Sequence, residues 1–170
     1  MQPVLKRTAF QKFYAIFLIS AIIGPIYFII KYNDLIFSSF SVEIILMIVC
    51  FLFYFYSGIK FWQNPNNNLN VLLVEISLLT QSIKINLYGI KFYSNYGPYA
   101  EMGFNDLFNF KMHFELGINI LQFSISYENT TSITLLFNIF TIALYVIFIR
   151  QVRRKKSEEL LITFKSSEFS

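Results

Sequence analysis

The stretch Phe108–Ile120, FNFKMHFELGINI, alternates without fault. Phe108, Phe110, Met112, Phe114, Leu116, Ile118 and Ile120 are apolar, and Asn109, Lys111, His113, Glu115, Gly117 and Asn119 lie between them. Successive side chains of a strand point to opposite faces, so a period of two predicts a strand with one apolar and one polar face. Past Ile120 the phase slips by one: Leu121, Phe123, Ile125 and Tyr127 alternate with Gln122, Ser124 and Ser126. Such a slip sends the second set to the other face unless a bulge or turn intervenes. Twenty residues at about 3.3 Å each would run about 66 Å, well beyond an ordinary strand. The expectation is two strands with a turn or bulge near Gly117–Asn119.

Working upstream, Ile83, Ile85 and Leu87 alternate with Ser82, Lys84 and Asn86, and Ile90 and Phe92 resume after a shift at Gly89. A turn-rich stretch follows at Ser94, Asn95, Gly97 and Pro98, and then Ala100, Met102 and Phe104 alternate with Glu101, Gly103 and Asn105. Together these segments make 66–128 a β-rich region, a small antiparallel sheet of about four amphipathic strands. A sheet of that size cannot cover its own apolar face. A second sheet, the bilayer surface or a partner chain has to do so.

On both sides of this region lie apolar runs. Phe13–Ile30 is 18 uncharged residues between Lys12 and Lys31, and Ile44–Ile59 is 16 between Glu43 and Lys60. Ile133–Ile149 is 17, closed by Arg150. A helix of 18 residues reaches about 27 Å, near the thickness of a hydrocarbon core. The spans predicted are therefore 13–30, 44–59 and 132–149. The first is too long for a signal peptide and has no small-x-small cleavage site behind it. Leu69–Tyr88 is a fourth candidate, but Glu75, Gln81 and Lys84 interrupt it, and a charge at the bilayer centre costs about 2.5–3.5 kcal/mol, so an interfacial helix, a strand and a packed crossing all stay open. The helix-breaking Pro65 and Asn66–Asn68 precede it. The fold class expected is an integral membrane α+β protein with three transmembrane helices, or four if 69–88 crosses. A membrane β-barrel is set aside, since single-chain barrels need about eight strands or more.

Composition agrees with a chain solvated largely by lipid. Of 170 residues, 55% are hydrophobic and 19% aromatic, while only 14% are charged, against about 25% in an ordinary soluble domain. Disorder, a fibre and a nucleic-acid-binding tail are excluded, and the single cysteine, Cys50, excludes an intrachain disulfide. The net charge of +4 is concentrated past the last span, in Arg150, Arg153, Arg154, Lys155 and Lys156 of the basic segment 150–170. These residues are read as lipid-headgroup contacts that hold the C-terminus in the cytoplasm. Lys6, Arg7 and Lys12 also favour the inside, which an odd number of crossings forbids, so the side of the N-terminus stays open.

Within the spans a few polar positions stand out. Thr134, Asn138, Thr141 and Tyr145 are spaced four, three and four, one face of a helix, and are read as a helix-packing seam rather than a polar pathway. Ser20 and Gly24 form a small-x-x-x-small pair, and Gly24–Pro25 predicts a kink. In the second span Glu43, Cys50 and Ser57 recur every seven residues, with Tyr54 beside them. Glu75 and Glu43 are the candidate ion-coupling carboxylates, Glu75 only if its segment lies in the membrane. His113, the only histidine, is read as a solvated residue of the polar strand face, and no metal site or cofactor is expected. Asn129–Thr131 is a glycosylation sequon, relevant only in a secretory host.

No HExxH, GxSxG, phosphate-binding glycine loop or CxxC occurs, so no catalytic residue is assigned. The function expected is that of a non-enzymatic accessory, scaffold or immunity-type subunit, multi-pass in the membrane. Its partners would be the bilayer and another membrane protein or its own copies, and not nucleic acid. A small oligomeric transporter or channel using Glu75 or Glu43 is the alternative, and lipid binding by the sheet a lesser one.

Overall fold

The computed structural model describes residues 8–31, 42–88, 90–127 and 133–168. Lys6, Arg7 and the sequon at Asn129 fall outside them, as do the side chains of Glu43, Lys155 and Lys156. The chain is α+β, with helices at both ends and an antiparallel sheet between.

Helix α1 (Ala9–Ser20) opens on a capping box. Thr8 Oγ1 accepts from Gln11 N at 3.3 Å and Gln11 Oε1 accepts from Thr8 N at 3.1 Å. A turn at Ala21 and Ile22 separates it from α2 (Ile23–Lys31). That break sits one turn before Pro25, which lacks an N–H and crowds the carbonyl four residues back. The expected kink is thus present. Ser20, however, turns its hydroxyl to Phe17 O at 2.8 Å, within its own helix.

Helix α3 (Val42–Gln63) crosses α1 closely at a different small residue. A Cβ on Gly58 would lie 2.8 Å from Ile19 N and 2.9 Å from Ala15 O, so only glycine allows this approach. The helical core gathers Tyr14, Leu18, Phe51, Tyr54, Phe61, Val74, Leu78 and Phe148. Tyr14 also donates to Leu144 O at 2.6 Å, tying the first helix to the last.

Two segments, Ala9–Lys31 (23 residues) and Ile44–Gln63 (20 residues), are long and apolar enough to cross a membrane. Only 33% of each is buried within the chain. The core helix of a soluble protein would be mostly enclosed.

The region 66–128 begins with a helix, one of the readings open for Leu69–Tyr88. Asn67 accepts from Leu69 N at 2.8 Å and caps α4 (Asn68–Thr80), while Asn70 Nδ2 donates to Lys60 O and Asn64 O and fixes the turn after α3. Val71, Val74 and Leu78 share its buried face. At 13 residues, about 20 Å, α4 falls short of a span.

The sheet comprises β1 (Ile83–Leu87), β2 (Ile90–Asp106), β3 (Lys111–Tyr127) and β4 (Ile133–Asn138), and the chain ends in α5 (Ile139–Glu168). Both β2 and β3 are continuous 17-residue strands. The turn expected at Ser94–Pro98 is absent. Pro98 is tolerated because β2 pairs with β1 only as far as Tyr93 and with β4 only from Glu101, so no donor is required of it on that edge. Nor does β3 begin at Phe108. The Asp106 carboxylate gathers the amides of Phe108 and Asn109 at 3.1 and 3.3 Å, turning the chain over Leu107–Phe110.

The slip in alternation is absorbed by a bulge. Asn95 faces Gln122 and Gly97 faces Asn119, three steps on β3 against two on β2. The bulge lies just past the expected Gly117–Asn119, and the strand runs through it as one element.

The last predicted span also divides. Ile133–Asn138 is strand β4, paired to β1 and β2, and the helix starts only at Ile139. Asn138 Oδ1 accepts from Thr141 N at 3.4 Å, the N-cap contact that fixes this boundary. Eleven uncharged residues remain before Arg150, about 16 Å of helix. Hydropathy alone could not separate the two, because β4 is uncharged and mostly apolar, like the helix behind it.

Candidate functional site

Three strands of the sheet close on one another. Lys84–Leu87 of β1 pair with β2, Ile83–Leu87 pair with β4, and β4 in turn pairs with Glu101–Phe104 of β2. Closure is tight at Gly103, where a Cβ would collide with Leu135 O. Register places Lys84, Tyr93, Asn95, Glu101 and Asn138 on one face and Ile85, Phe92, Met102, Phe104 and Phe137 on the other.

The polar face is the inside. Glu101 is 3% exposed, Asn95 2% and Asn138 4%. The apolar face is outside, and along the β2–β3 arm Met112 is 77% exposed, Phe114 and Leu116 65% and Ile118 78%. A water-soluble domain has the opposite arrangement.

Inside the ring Lys84 Nζ lies 3.3 Å from Glu101 Oε2 and 4.4 Å from the centre of the Tyr93 ring. Asn138 joins three elements. Its Oδ1 accepts from Ala100 N at 3.2 Å as well as from Thr141 N, its Nδ2 donates to Asn95 Oδ1 at 3.3 Å, and its backbone N donates to Ser82 O at 2.8 Å. Thr141 Oγ1 donates to Gln81 O at 3.3 Å. Gln81 Oε1, Tyr93 OH and Asn95 Nδ2 are buried without a partner. They line a cavity of about 10 Å3 together with Lys84, Glu101 and Asn138, room for one water. Burial, reinforced by the charges of Glu101, Tyr99 and Glu115, pushes the Tyr93 hydroxyl above its usual range, so it stays protonated.

A second polar knot lies where the sheet meets the helices. Tyr54 OH donates to Ser94 Oγ at 2.9 Å and lies 3.2 Å from Cys50 Sγ and 3.1 Å from Thr80 Oγ1. Ser57 donates to Phe53 O, within its own helix.

At the rim, Glu101 faces Glu115 directly across the β2–β3 ladder, with His113 two pairs further on and so on the same face. Tyr99 OH donates to Glu115 Oε1 at 2.7 Å, and this bond, with the neighbouring His113, holds the Glu115 carboxyl below its usual range.

The helical face predicted through Thr134, Asn138, Thr141 and Tyr145 is divided by the strand–helix boundary. Thr134 lies on β4 and donates to Asn105 O at 2.8 Å, whereas Asn138 and Thr141 enter the buried network and Tyr145 packs half-buried against the helical core. Gly24 is buried in α2, and Glu75 is half-exposed on α4. Arg150, Arg153 and Arg154 are exposed on α5, so this part of the basic segment continues the helix instead of forming a free tail. Sequence reading missed Lys84, Tyr93, Asn95 and Gln81 as one group, and did not bring Glu101 against Glu115. A legible signal existed, because folding the two alternating segments about Phe108 brings 101 against 115 and 103 against 113. Among family models, curated proteins and solved structures, none matches this chain.

Proposed function

We propose that this chain is a multi-pass integral membrane protein, its C-terminal end cytoplasmic, that acts by docking. It is a non-enzymatic accessory, scaffold or immunity-type subunit. The supporting observation is the inverted sheet, with polar groups enclosed in the ring and the arm face of Met112, Phe114, Leu116 and Ile118 presented outward. Exposed apolar surface of this extent is stable only against lipid or another protein. Outward apolar residues continue on the helices at Ile16, Val49, Leu52 and Ile147, as lipid contact requires. The exposed Arg150, Arg153 and Arg154, with Lys155 and Lys156 behind them, suit a cytoplasmic surface rich in anionic headgroups.

The arm is the docking element, and its partner is a membrane protein or a second copy. In membranes, the double variant Leu116→Asp/Ile118→Asp is expected to weaken partner or self-association at least tenfold with the melting temperature unchanged, because neither side chain packs inside the chain. Native gels and co-purification read the association. Intact association in the folded double variant contradicts the docking role. The transport reading ranks second, since α4 is too short to carry Glu75 across a bilayer.

A further inference from the structure

The rim of the polar ring carries a group of side chains that docking does not use. The donor atoms of Glu101, His113 and Glu115 lie within 4.8 Å of one another. They lie on one face of one ladder, two rungs apart, Glu101 opposite Glu115 and Gly103 opposite His113 with Met102 and Phe114 between. Two carboxylates directly across a strand pair repel, and a cation between them removes that cost.

Each of the three is held at one atom by a neighbour. Lys84 holds Glu101 Oε2 at 3.3 Å, Tyr99 holds Glu115 Oε1 at 2.7 Å, and Asn105 Nδ2 lies 3.0 Å from His113 Nδ1. A carboxylate has two oxygens and an imidazole two nitrogens, so each residue keeps a second atom for a ligand. His113 Nε2 is buried and makes no hydrogen bond, with Glu115 Oε2 3.3 Å away. Glu101 also borders the ring cavity, where Tyr93 stands, 8% exposed and with no partner for its hydroxyl.

We propose that Glu101, His113 and Glu115 bind a divalent transition-metal ion of the zinc class. One imidazole and two carboxylates form a nitrogen–oxygen set that suits Zn2+ better than Ca2+ or Mg2+, which take oxygen alone. Ligand bonds of about 2.0–2.2 Å need only a modest inward movement of the exposed Glu115. Asn105 turned over, its oxygen accepting from Nδ1–H, sets the tautomer that leaves Nε2 to the metal. Three protein ligands leave one position open for a water.

The test uses the full chain in detergent, stripped with a chelator and titrated with Zn2+ alone. One equivalent is expected to bind and raise the melting temperature. His113→Ala and Glu115→Gln, both outside the core, are expected to weaken binding at least about 100-fold, and Tyr99→Phe, an outer partner, about tenfold. Co2+ in the wild-type chain should give the intense visible absorption of a tetrahedral site, a readout that depends on no variant. Absence of Zn2+ binding by the wild type overturns the proposal, as does affinity retained within threefold in folded His113→Ala, or octahedral Co2+ absorption.

Discussion

Replacing Asn138 with leucine is expected to lower the stability of the folded chain by about 3–5 kcal/mol, since each buried polar group left unpaired costs about 1–3 kcal/mol. Three groups would be orphaned: the amides of Ala100 and Thr141, and the Asn95 side-chain oxygen. Because Asn138 also caps α5, the loss unpins the helix from the strand before it. Leucine is nearly isosteric with asparagine, so a cavity does not explain the effect. Chemical denaturation in detergent measures it, and a loss below about 1 kcal/mol would show that the network is held by other groups.

Removing Lys84 has the second-largest expected effect. Glu101 is almost fully buried, and Lys84 Nζ is its counter-charge at 3.3 Å. Breaking a buried pair from one side typically costs about 3–5 kcal/mol, and because Lys84 is itself about one-third exposed, about 2–4 kcal/mol is expected for Lys84→Met. Adding Glu101→Leu to Lys84→Met should recover at least half of the loss, because the double variant buries no lone charge. Equal instability of single and double variants would mean that Lys84 acts through its packing on Tyr93 instead.

Much of this architecture was legible, and the places where it was not have physical causes. Alternation between Ile83 and Tyr127 located the strands, and the phase slip after Ile120 announced the bulge. Alternation does not say which face is buried. The usual assignment puts the apolar face inside, and here β1, β2 and β4 close around the polar one. Closure depends on pairing between residues far apart in the chain, Lys84 with Leu136 and Glu101 with Asn138, which one sequence does not display. The same cause hid the boundary at Asn138. Read by hydropathy, Ile133–Ile149 is one run; read with its partners, six residues belong to the sheet. Thr134, Asn138, Thr141 and Tyr145 fit a helical period by coincidence of spacing. Conversely, Pro65 with its asparagines and Gly24–Pro25 act through local backbone chemistry, and both breaks stand where the sequence puts them.

The outward apolar surface of this chain is expected to meet lipid. Single cysteines at Ile16, Val49 and Leu52, in a Cys50→Ser background, test it most directly. All three native side chains are about half exposed on the isolated chain, so a water-soluble protein would label at each with a membrane-impermeant maleimide. No labelling is expected in intact membranes, with full labelling after denaturation in SDS and retention of the chain in the membrane through alkaline carbonate. Ready labelling in intact membranes, or release by carbonate, would contradict it.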